Sequence, residues 1–142
     1  KTEKFDFSEL IENLVKKYEN PNIFFFAIPK IYYNGRKNLI MRCINNLIDN
    51  SLKYAKKTEI NLEKKISNII ISIDDDGPGI PKSEYNNVLK PFYKIDKSRS
   101  ETKSSVGLGL AISSDIIKSH GGDIEFDKSK MGGLNIKIFL PV

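Results

Sequence analysis

The sequence predicts a single α/β domain in which helices pack on a mostly antiparallel sheet. The chain has 142 residues, enough for one domain with a buried core. Its strongest helical pattern lies before the middle of the chain, and β-rich segments occur on both sides of it. A hydrophobic content of 39% and a charged content of 29% are typical of globular proteins. The longest apolar run, "IFFFAI" at 23–28, is too short to cross a bilayer.

The elements follow from spacing and from turn residues. Apolar residues recur at helical spacing after Ser8, a candidate N-cap. The Asn-Gly pair at 34–35 predicts a turn, and Gly121 and Gly122 should end the last helix. We predict helices over 7–19, 36–56 and 107–119, and strands over 23–28, 30–33, 58–64, 67–74, 123–127 and 134–140.

The segment 81–106 is polar and has few periodic apolar residues, although a short helix or two are expected in it. Loops of this length are uncommon inside compact domains and are often functional. Because the segment leads directly into a glycine motif, we interpret it as a lid; the alternative is a surface insertion.

The net charge, the single cysteine and the single histidine limit the classes of function that the chain could have. The net charge of +5 would suit nucleic acid, but the lysines are spread along the chain and indicate a solvated surface. The single cysteine, Cys43, excludes an internal disulfide framework and indicates core packing in a reducing compartment. His120 has no partner ligand in the sequence and is interpreted as a residue at a helix end.

The long helix has two different faces. One face is apolar, and the other carries Asn46, Asn50 and Lys53 together with further Lys and Arg residues. A solvent-exposed face usually prefers Glu and Lys to Asn, because Asn is a poorer helix former. An Asn oxygen can bind a hard cation such as Mg²⁺, and a Lys supplies a point charge for phosphate. From this pattern alone, a solvent face and a metal-phosphate site are equally supported.

Two glycine motifs complete the pattern. In "DDGPGI" (75–80), Asp75 could accept a hydrogen bond from an exocyclic amine such as that of adenine, while Gly77 and Gly79 could let the backbone approach a flat ring. In "VGLGLAI" (106–112), glycines at the predicted start of a helix would direct free N–H groups at an anion. Together these features predict a site for a purine nucleotide with Mg²⁺. Neither a Walker A sequence nor a complete dinucleotide fingerprint occurs.

In this order and spacing, the motifs resemble those of the catalytic ATP-binding domain of sensor histidine kinases. That domain belongs to the wider family that includes DNA gyrase, Hsp90 and the mismatch-repair MutL ATPases. The segment "NNLIDNSLKY" (45–54) resembles the N box, "DDGPGI" the first glycine box, "KPFYK" (90–94) the F box and "VGLGLAI" the second glycine box. The closing "GGLNIKIFLPV" (132–142) looks most similar to the osmosensor EnvZ type.

The resemblance implies the two-layer α/β sandwich called the Bergerat or GHKL fold, with an ATP lid, over residues 1–142. It implies Asn46 and Lys53 as catalytic residues, Asn50 and Asn46 as Mg²⁺ ligands and Asp75 as the adenine acceptor. The nucleotide-contacting residues that it implies are Asn50, Tyr54, Asp75, Gly77, Gly79, Ile80, Phe92, Lys94, Arg99, Gly107, Leu108, Gly109 and Leu110.

The resemblance also implies partners. The γ-phosphate of Mg-ATP would pass to a histidine on a separate dimerisation helix and then to a response regulator, with no role for nucleic acid. The domain would be cytoplasmic and monomeric by itself, within a homodimeric protein of the bacterial inner membrane. One departure is that Ser105 and Val106 stand where the second glycine box usually has Gly and Thr, which bears on lid geometry and affinity.

Two alternatives remain. An anti-sigma-factor type serine kinase or a gyrase-type ATPase would use a Glu at the place of Asn46 to activate a hydroxyl or water, and an amide cannot take that proton. A non-catalytic nucleic-acid or scaffold module would fit the net charge, but the nucleotide boxes argue against it.

Overall fold

The computed structural model describes residues 1–90 and 100–142, with the side chains of 100–108 left out of the description. Three α-helices lie in the described residues: α1 (Phe7–Tyr18), α2 (Lys37–Tyr54) and α3 (Ser100–Ser119). The strands there are β1 (Glu3–Asp6), β2 (Ile23–Ala27), β3 (Tyr32–Gly35), β4 (Thr58–Lys64), β5 (Asn68–Asp75), β6 (Asp123–Lys128) and β7 (Leu134–Pro141).

The main sheet has five strands in the order β2-β4-β5-β7-β6. Only β2 and β4 run parallel; the other three pairs are antiparallel. A mixed, mostly antiparallel sheet is therefore confirmed. Strands β1 and β3 form a separate two-stranded sheet.

The helices cover one face of the main sheet. Alternate residues of the strands point to this face, and Ile60, Ile71 and Ile73 there are fully buried. Helix α2 contributes Ile44 and Leu47 to the same core. The opposite face carries polar side chains that are half-buried or exposed at several positions, including Glu59, Asn61, Ser72 and Lys137. The predicted two-layer sandwich is confirmed.

Helix α1 begins at Phe7, the predicted first residue, but its cap differs from the predicted one. Its N-cap is Asp6, whose carboxylate accepts the N–H of Glu9 at 3.3 Å. The predicted cap, Ser8, is wrong: its hydroxyl donates to the carbonyl of Ile28 at 2.6 Å and ties the helix to the loop after β2.

The predicted turn at 34–35 is also wrong. Asn34 and Gly35 belong to β3 and pair with Lys4 and Glu3 of β1. The turn signal is local, whereas the pairing joins segments that lie about thirty residues apart. The short strand β1 gave no alternating pattern long enough to detect.

Helix α3 is longer than predicted and changes the interpretation of the second glycine motif. It begins at Ser100, so residues 100–106 of the predicted lid are helical. Gly107 and Gly109 therefore lie inside the helix, where N–H groups donate to carbonyls one turn earlier, and not at its N-terminus. Interior glycines cost about 1 kcal/mol each but do not end a helix. Ser105 and Val106, in place of Gly and Thr, remove one further glycine from this stretch.

The rest of the predicted lid is partly described. Two short 3-10 turns, Lys82–Glu84 and Asn87–Leu89, confirm the expected short helices. Residues 91–99, with the predicted Phe92, Lys94 and Arg99, lie outside the described residues. Within the described ranges, no helix combines the length and the apolar character that crossing a membrane requires.

Candidate functional site

Asp75, the last residue of β5, is held by three hydrogen-bond donors. Its Oδ1 accepts the N–H groups of Gly77 at 3.0 Å and Leu134 at 3.1 Å. Its Oδ2 accepts the hydroxyl of Ser51 at 3.2 Å. The side chain is only 7% exposed. Because a carboxylate has about four lone-pair positions, these bonds fix both oxygens and leave Oδ2 able to accept one more donor.

Ser51 is itself oriented by a second hydroxyl. Its Oγ lies 2.7 Å from Oγ1 of Thr58, the first residue of β4. Since Ser51 has one hydroxyl proton and donates it to Asp75, Thr58 must donate to Ser51. Both residues are buried. A chain of two hydroxyls therefore connects β4 and α2 to the carboxylate.

The three consecutive acids have three different environments. Asp74 points to the opposite face of the sheet, where its Oδ1 accepts from the Ser129 hydroxyl at 2.7 Å and the Asn135 amide at 3.0 Å. The side chain of Asp76 accepts the N–H groups of Lys56 and Lys57 at 2.8 and 2.9 Å. Of the three, only Asp75 directs its carboxylate at α2.

The backbone geometry after Asp75 explains why glycine occupies positions 77 and 79. A Cβ on Gly77 would lie 3.0 Å from the carbonyl oxygen of Tyr54, so the loop passes close to the end of α2. Gly79 has a φ of +73°, a conformation that favours glycine. Ile80 is half-buried and packs against the core. A close approach of this backbone to a flat ring stays a prediction.

The polar face of α2 contains an unsatisfied atom. Asn50 is only 9% exposed, and its Oδ1 is buried without a hydrogen-bond partner in the part of the chain that the structure describes. A buried acceptor in this condition costs about 1–3 kcal/mol. Asn46 lies one turn earlier with intermediate exposure, and Lys53 is exposed. An amide oxygen of this kind fits a hard cation such as Mg²⁺.

Helix α3 meets α2 at the same place. A Cβ on Gly109 would lie 4.0 Å from the Cβ of Asn46, so Gly109 faces the Asn side of α2. Leu110 is 2% exposed and belongs to the core, which makes its side chain a packing residue. Gly107 and Leu108 are described only as part of the helix backbone. The structure thus places Gly109 next to Asn46 and Gly77 next to the backbone of Tyr54, and it links Ser51 to Asp75 by a hydrogen bond.

Several residues of this region were missed by the sequence reasoning. Ser51 was not named as a candidate, although a hydroxyl among the buried aliphatic residues of α2 was a detectable signal. Thr58, Gly133 and the backbone N–H of Leu134 gave no local signal. Gly133 and Leu134 act through backbone N–H groups on Asp75, which lies 58 and 59 residues earlier, and Thr58 acts on Asp75 only through Ser51.

His120 and Cys43 have the structural roles predicted for them. The Nε2 atom of His120 accepts the N–H of Arg36 at 3.0 Å, and Nδ1 donates to the carbonyl of Ile116 at 2.8 Å. This ring connects the end of α3 to the start of α2. Cys43 is fully buried, and burial raises the pKa of its thiol to about 12. Among the described residues, no group of three or more His, Cys, Asp or Glu side chains could hold a metal ion.

Comparisons with known proteins agree with this arrangement. The family described as "Histidine kinase-, DNA gyrase B-, and HSP90-like ATPase" matches residues 35–142. The sensor histidine kinase GtrS of Pseudomonas aeruginosa is 34% identical over 109 residues, which cover 77% of this chain and 22% of GtrS. The sensor kinase WalK of Staphylococcus aureus is 30% identical over an alignment of 149 positions, which covers 98% of this chain and 36% of WalK. The chain therefore spans about a fifth to a third of these relatives.

Solved structures give the same fold. The mycobacterial sensor histidine kinase MprB has a TM-score of 0.83 at 25% identity, with 99% of this chain and 97% of that chain covered. The catalytic domain of the histidine kinase ThkA has a TM-score of 0.82 at 23% identity, with the same coverage. None of these matches tests the closeness to the EnvZ type, which stays a prediction. The chain belongs to the histidine kinase-, DNA gyrase B- and HSP90-like ATPase family, a family of ATP-binding domains, and its relatives include sensor histidine kinases.

Proposed function

We propose that this chain binds Mg-ATP and presents the γ-phosphate to a histidine on a separate dimerisation helix. The observation that carries the proposal is the environment of Asp75, a buried carboxylate fixed by three donors with acceptor capacity left on Oδ2. The exocyclic amine of adenine is a donor of the kind that this oxygen would accept. The family match and the sensor-kinase relatives support the same conclusion.

The phosphates would lie along the Asn face of α2. Asn50, with its unsatisfied oxygen, and Asn46, one turn away, would hold Mg²⁺, while Lys53 would meet phosphate. The cation would neutralise phosphate charge when bound. Tyr54 would flank the nucleotide. Contacts from Phe92, Lys94 and Arg99 remain part of the proposal, whereas the backbone N–H groups of 107–109 are used within α3 and are not offered to a phosphate.

The domain would position ATP without hydrolysing it. Neither Asn46 nor Asn50 can accept a proton, so this face of α2 offers no general base for a water. The γ-phosphate would therefore wait for a nucleophile from another domain, and catalysis would come from positioning and charge neutralisation. This argues against the serine-kinase and gyrase-type alternatives.

The acceptor would not be His120. Both of its ring nitrogens are engaged, one by the N–H of Arg36 and the other by the carbonyl of Ile116. We therefore infer a dimerisation and phosphoacceptor domain in the same protein, and a response regulator that receives the phosphate. A homodimer in the bacterial inner membrane would carry this domain on its cytoplasmic side.

The test is phosphoryl transfer with radiolabelled ATP. The chain is incubated alone and with a dimerisation domain that carries a phosphoacceptor histidine, and the products are treated with acid and with base. We expect a label only on the added domain, labile in acid and stable in base. An acid-stable label on this chain, or ATP turnover in the absence of the partner, would favour the serine-kinase or gyrase-type function.

A further inference from the structure

The turn between β6 and β7, residues 129–133, and the first residue of β7 each contact Asp75. The N–H of Gly133 donates to the backbone carbonyl of Asp75 at 3.0 Å. The N–H of the next residue, Leu134, donates to the side-chain Oδ1 at 3.1 Å. We propose that this β6–β7 turn positions the carboxylate that reads the base, a proposal that rests on the proposed nucleotide site.

Gly133 is the residue of the turn that lies against the carboxylate. A Cβ at this position would fall on Oδ1 of Asp75 and would lie 2.6 Å from the nitrogen of Gly77. Oδ1 of Asp75 and the nitrogen of Gly77 are hydrogen-bonded to each other, so neither atom can move without disturbing that bond. Only glycine leaves room for Oδ1 to remain between its two N–H donors.

The turn is anchored by the neighbouring acid. Asp74 accepts the hydroxyl of Ser129 and the amide of Asn135, and all three side chains are buried. The hydroxyl oxygen of Ser129 also accepts the N–H of Met131 at 3.0 Å. Asp74 thus holds both sides of the turn from the outer face of the sheet, while Asp75 receives its N–H groups on the inner face.

An ion pair adds a second anchor on the outer face. The ammonium of Lys130 lies 2.6 Å from a carboxylate oxygen of Glu59 in β4. This contact holds the pKa of Glu59 below its ordinary value. Strands β4, β5 and β7 are therefore connected through the turn at the end of the sheet where Asp75 lies. Ser129 and Asp74 are positioning residues, because they act on the base only through Asp75.

The experiment measures base selectivity and stability separately. Dissociation constants for ATP and for inosine triphosphate, which has a carbonyl in place of the amine, are measured by calorimetry with thermal unfolding in parallel. Ser129→Ala should reduce the preference for ATP by about threefold to tenfold, the range expected for one net hydrogen bond. Ser129→Thr keeps the hydroxyl and should restore the preference. A purely structural role would lower the unfolding temperature and leave the ratio of the two constants unchanged.

Gly133→Ala is the stronger variant and has a neighbour as its control. It should remove the preference for ATP, because the carboxylate must leave its position. Gly132 has a φ of +102° and no atom within 4 Å of an added Cβ. Gly132→Ala should therefore lower the unfolding temperature but keep the preference. Equal loss of preference in both alanine variants would overturn the positioning role.

Two lysine–glutamate pairs of β4 provide a second matched control. Lys130→Met breaks the pair at the turn, whereas Lys65→Met breaks the pair with Glu63 at the other end of the strand. We expect a lower ATP preference only in Lys130→Met. The wild-type chain separates the two hypotheses: no preference for ATP would reject Asp75 as the reader of the base. A wild-type preference that survives in Ser129→Ala and Gly133→Ala would reject only the role of the turn.

Discussion

The base end of the candidate site, around Asp75, and the phosphate end, around Asn50, are about equally buried but differ in how the protein satisfies them. Asp75 has donors on both of its oxygens. Asn50 has a buried oxygen with no partner among the described residues. The base end is thus arranged in advance by the fold, whereas the phosphate end keeps an unsatisfied acceptor.

From this difference we infer how the two ends would contribute to binding. A fixed carboxylate selects a ligand by geometry, because a base without a donor at the right position leaves the buried group unpaired. An unsatisfied amide oxygen gains its partner only from a bound cation, so it favours the occupied state. We therefore expect the base end to control specificity and the phosphate end to control dependence on Mg²⁺.

The largest expected effect is that of Asp75→Asn. An amide can keep one oxygen between Gly77 and Leu134, but its NH₂ group then faces the adenine amine, donor against donor. Loss of a hydrogen bond to a charged group costs about 1.5–3 kcal/mol, or roughly 10- to 150-fold in affinity. Calorimetry with Mg-ATP measures it. Asp76→Asn, with the same change of charge one residue later, is the control and should bind ATP normally; unchanged affinity in Asp75→Asn would reject the base end.

Asn50→Ala should change the affinity for Mg-ATP far more than the stability of the fold. Removing an unsatisfied buried acceptor relieves its desolvation cost, so we expect the free energy of unfolding to change by less than about 1 kcal/mol. Affinity for Mg-ATP should fall at least about tenfold, the lower end of the cost of removing even an outer partner of a metal ligand. Affinity in EDTA should change little. An equal loss with and without Mg²⁺ would show that Asn50 is not a metal ligand.

Ser51→Ala tests how much of the base end depends on the hydroxyl chain. It removes the donor to Oδ2 of Asp75 and leaves Thr58 without its acceptor. We expect a loss of roughly 1 kcal/mol, about fivefold in ATP affinity, since one neutral donor is removed. Ser51→Thr retains the hydroxyl and serves as the comparison. If Ser51→Ala binds ATP like the wild type, the two N–H donors to Oδ1 suffice.

The smallest effect concerns Asp76, which belongs to neither end. Hydrogen bonds from the N–H groups of Lys57 and Lys56 hold the pKa of this carboxyl below its ordinary value of 3.8. A lowered pKa in the folded state stabilises the fold above 3.8, and this contribution is lost as the pH falls through the lowered value. Unfolding curves of the wild type and Asp76→Asn should therefore differ at neutral pH and converge in acid. A difference that is independent of pH would contradict this assignment.

Much of the structure around the candidate site was predictable because its signals are local. The alternation of the apolar and Asn faces along α2 predicted the helix, and it placed Asn46 and Asn50 on one side. The apolar run that ends in acids and glycines predicted β5 and pointed to Asp75 as a candidate. These signals depend on residues within one or two turns, and their spacing is fixed by helix and strand geometry.

Other features could not be read from local patterns. Leu108, Ile112 and Ile116 recur four residues apart, and this spacing predicted the end of α3. It did not predict the start at Ser100, because the glycines suggested a helix boundary that the structure does not have. The Asn-Gly pair indicated a turn, whereas pairing with β1 made it part of a strand. In both cases propensity was a weaker determinant than tertiary contacts.

Local sequence patterns were sufficient to predict the class of the domain, the face of α2 that carries Asn46 and Asn50, and the acid at the end of β5. Long-range contacts select which of the three acids is directed at α2 and what holds it there. Strand alternation separates Asp74 from Asp75, and the order of the sheet brings Leu134 to within 3.1 Å of a carboxylate 59 residues away. Backbone donors carry no side-chain signature, so only the folded chain shows that the N–H groups of Gly133 and Leu134 donate to Asp75.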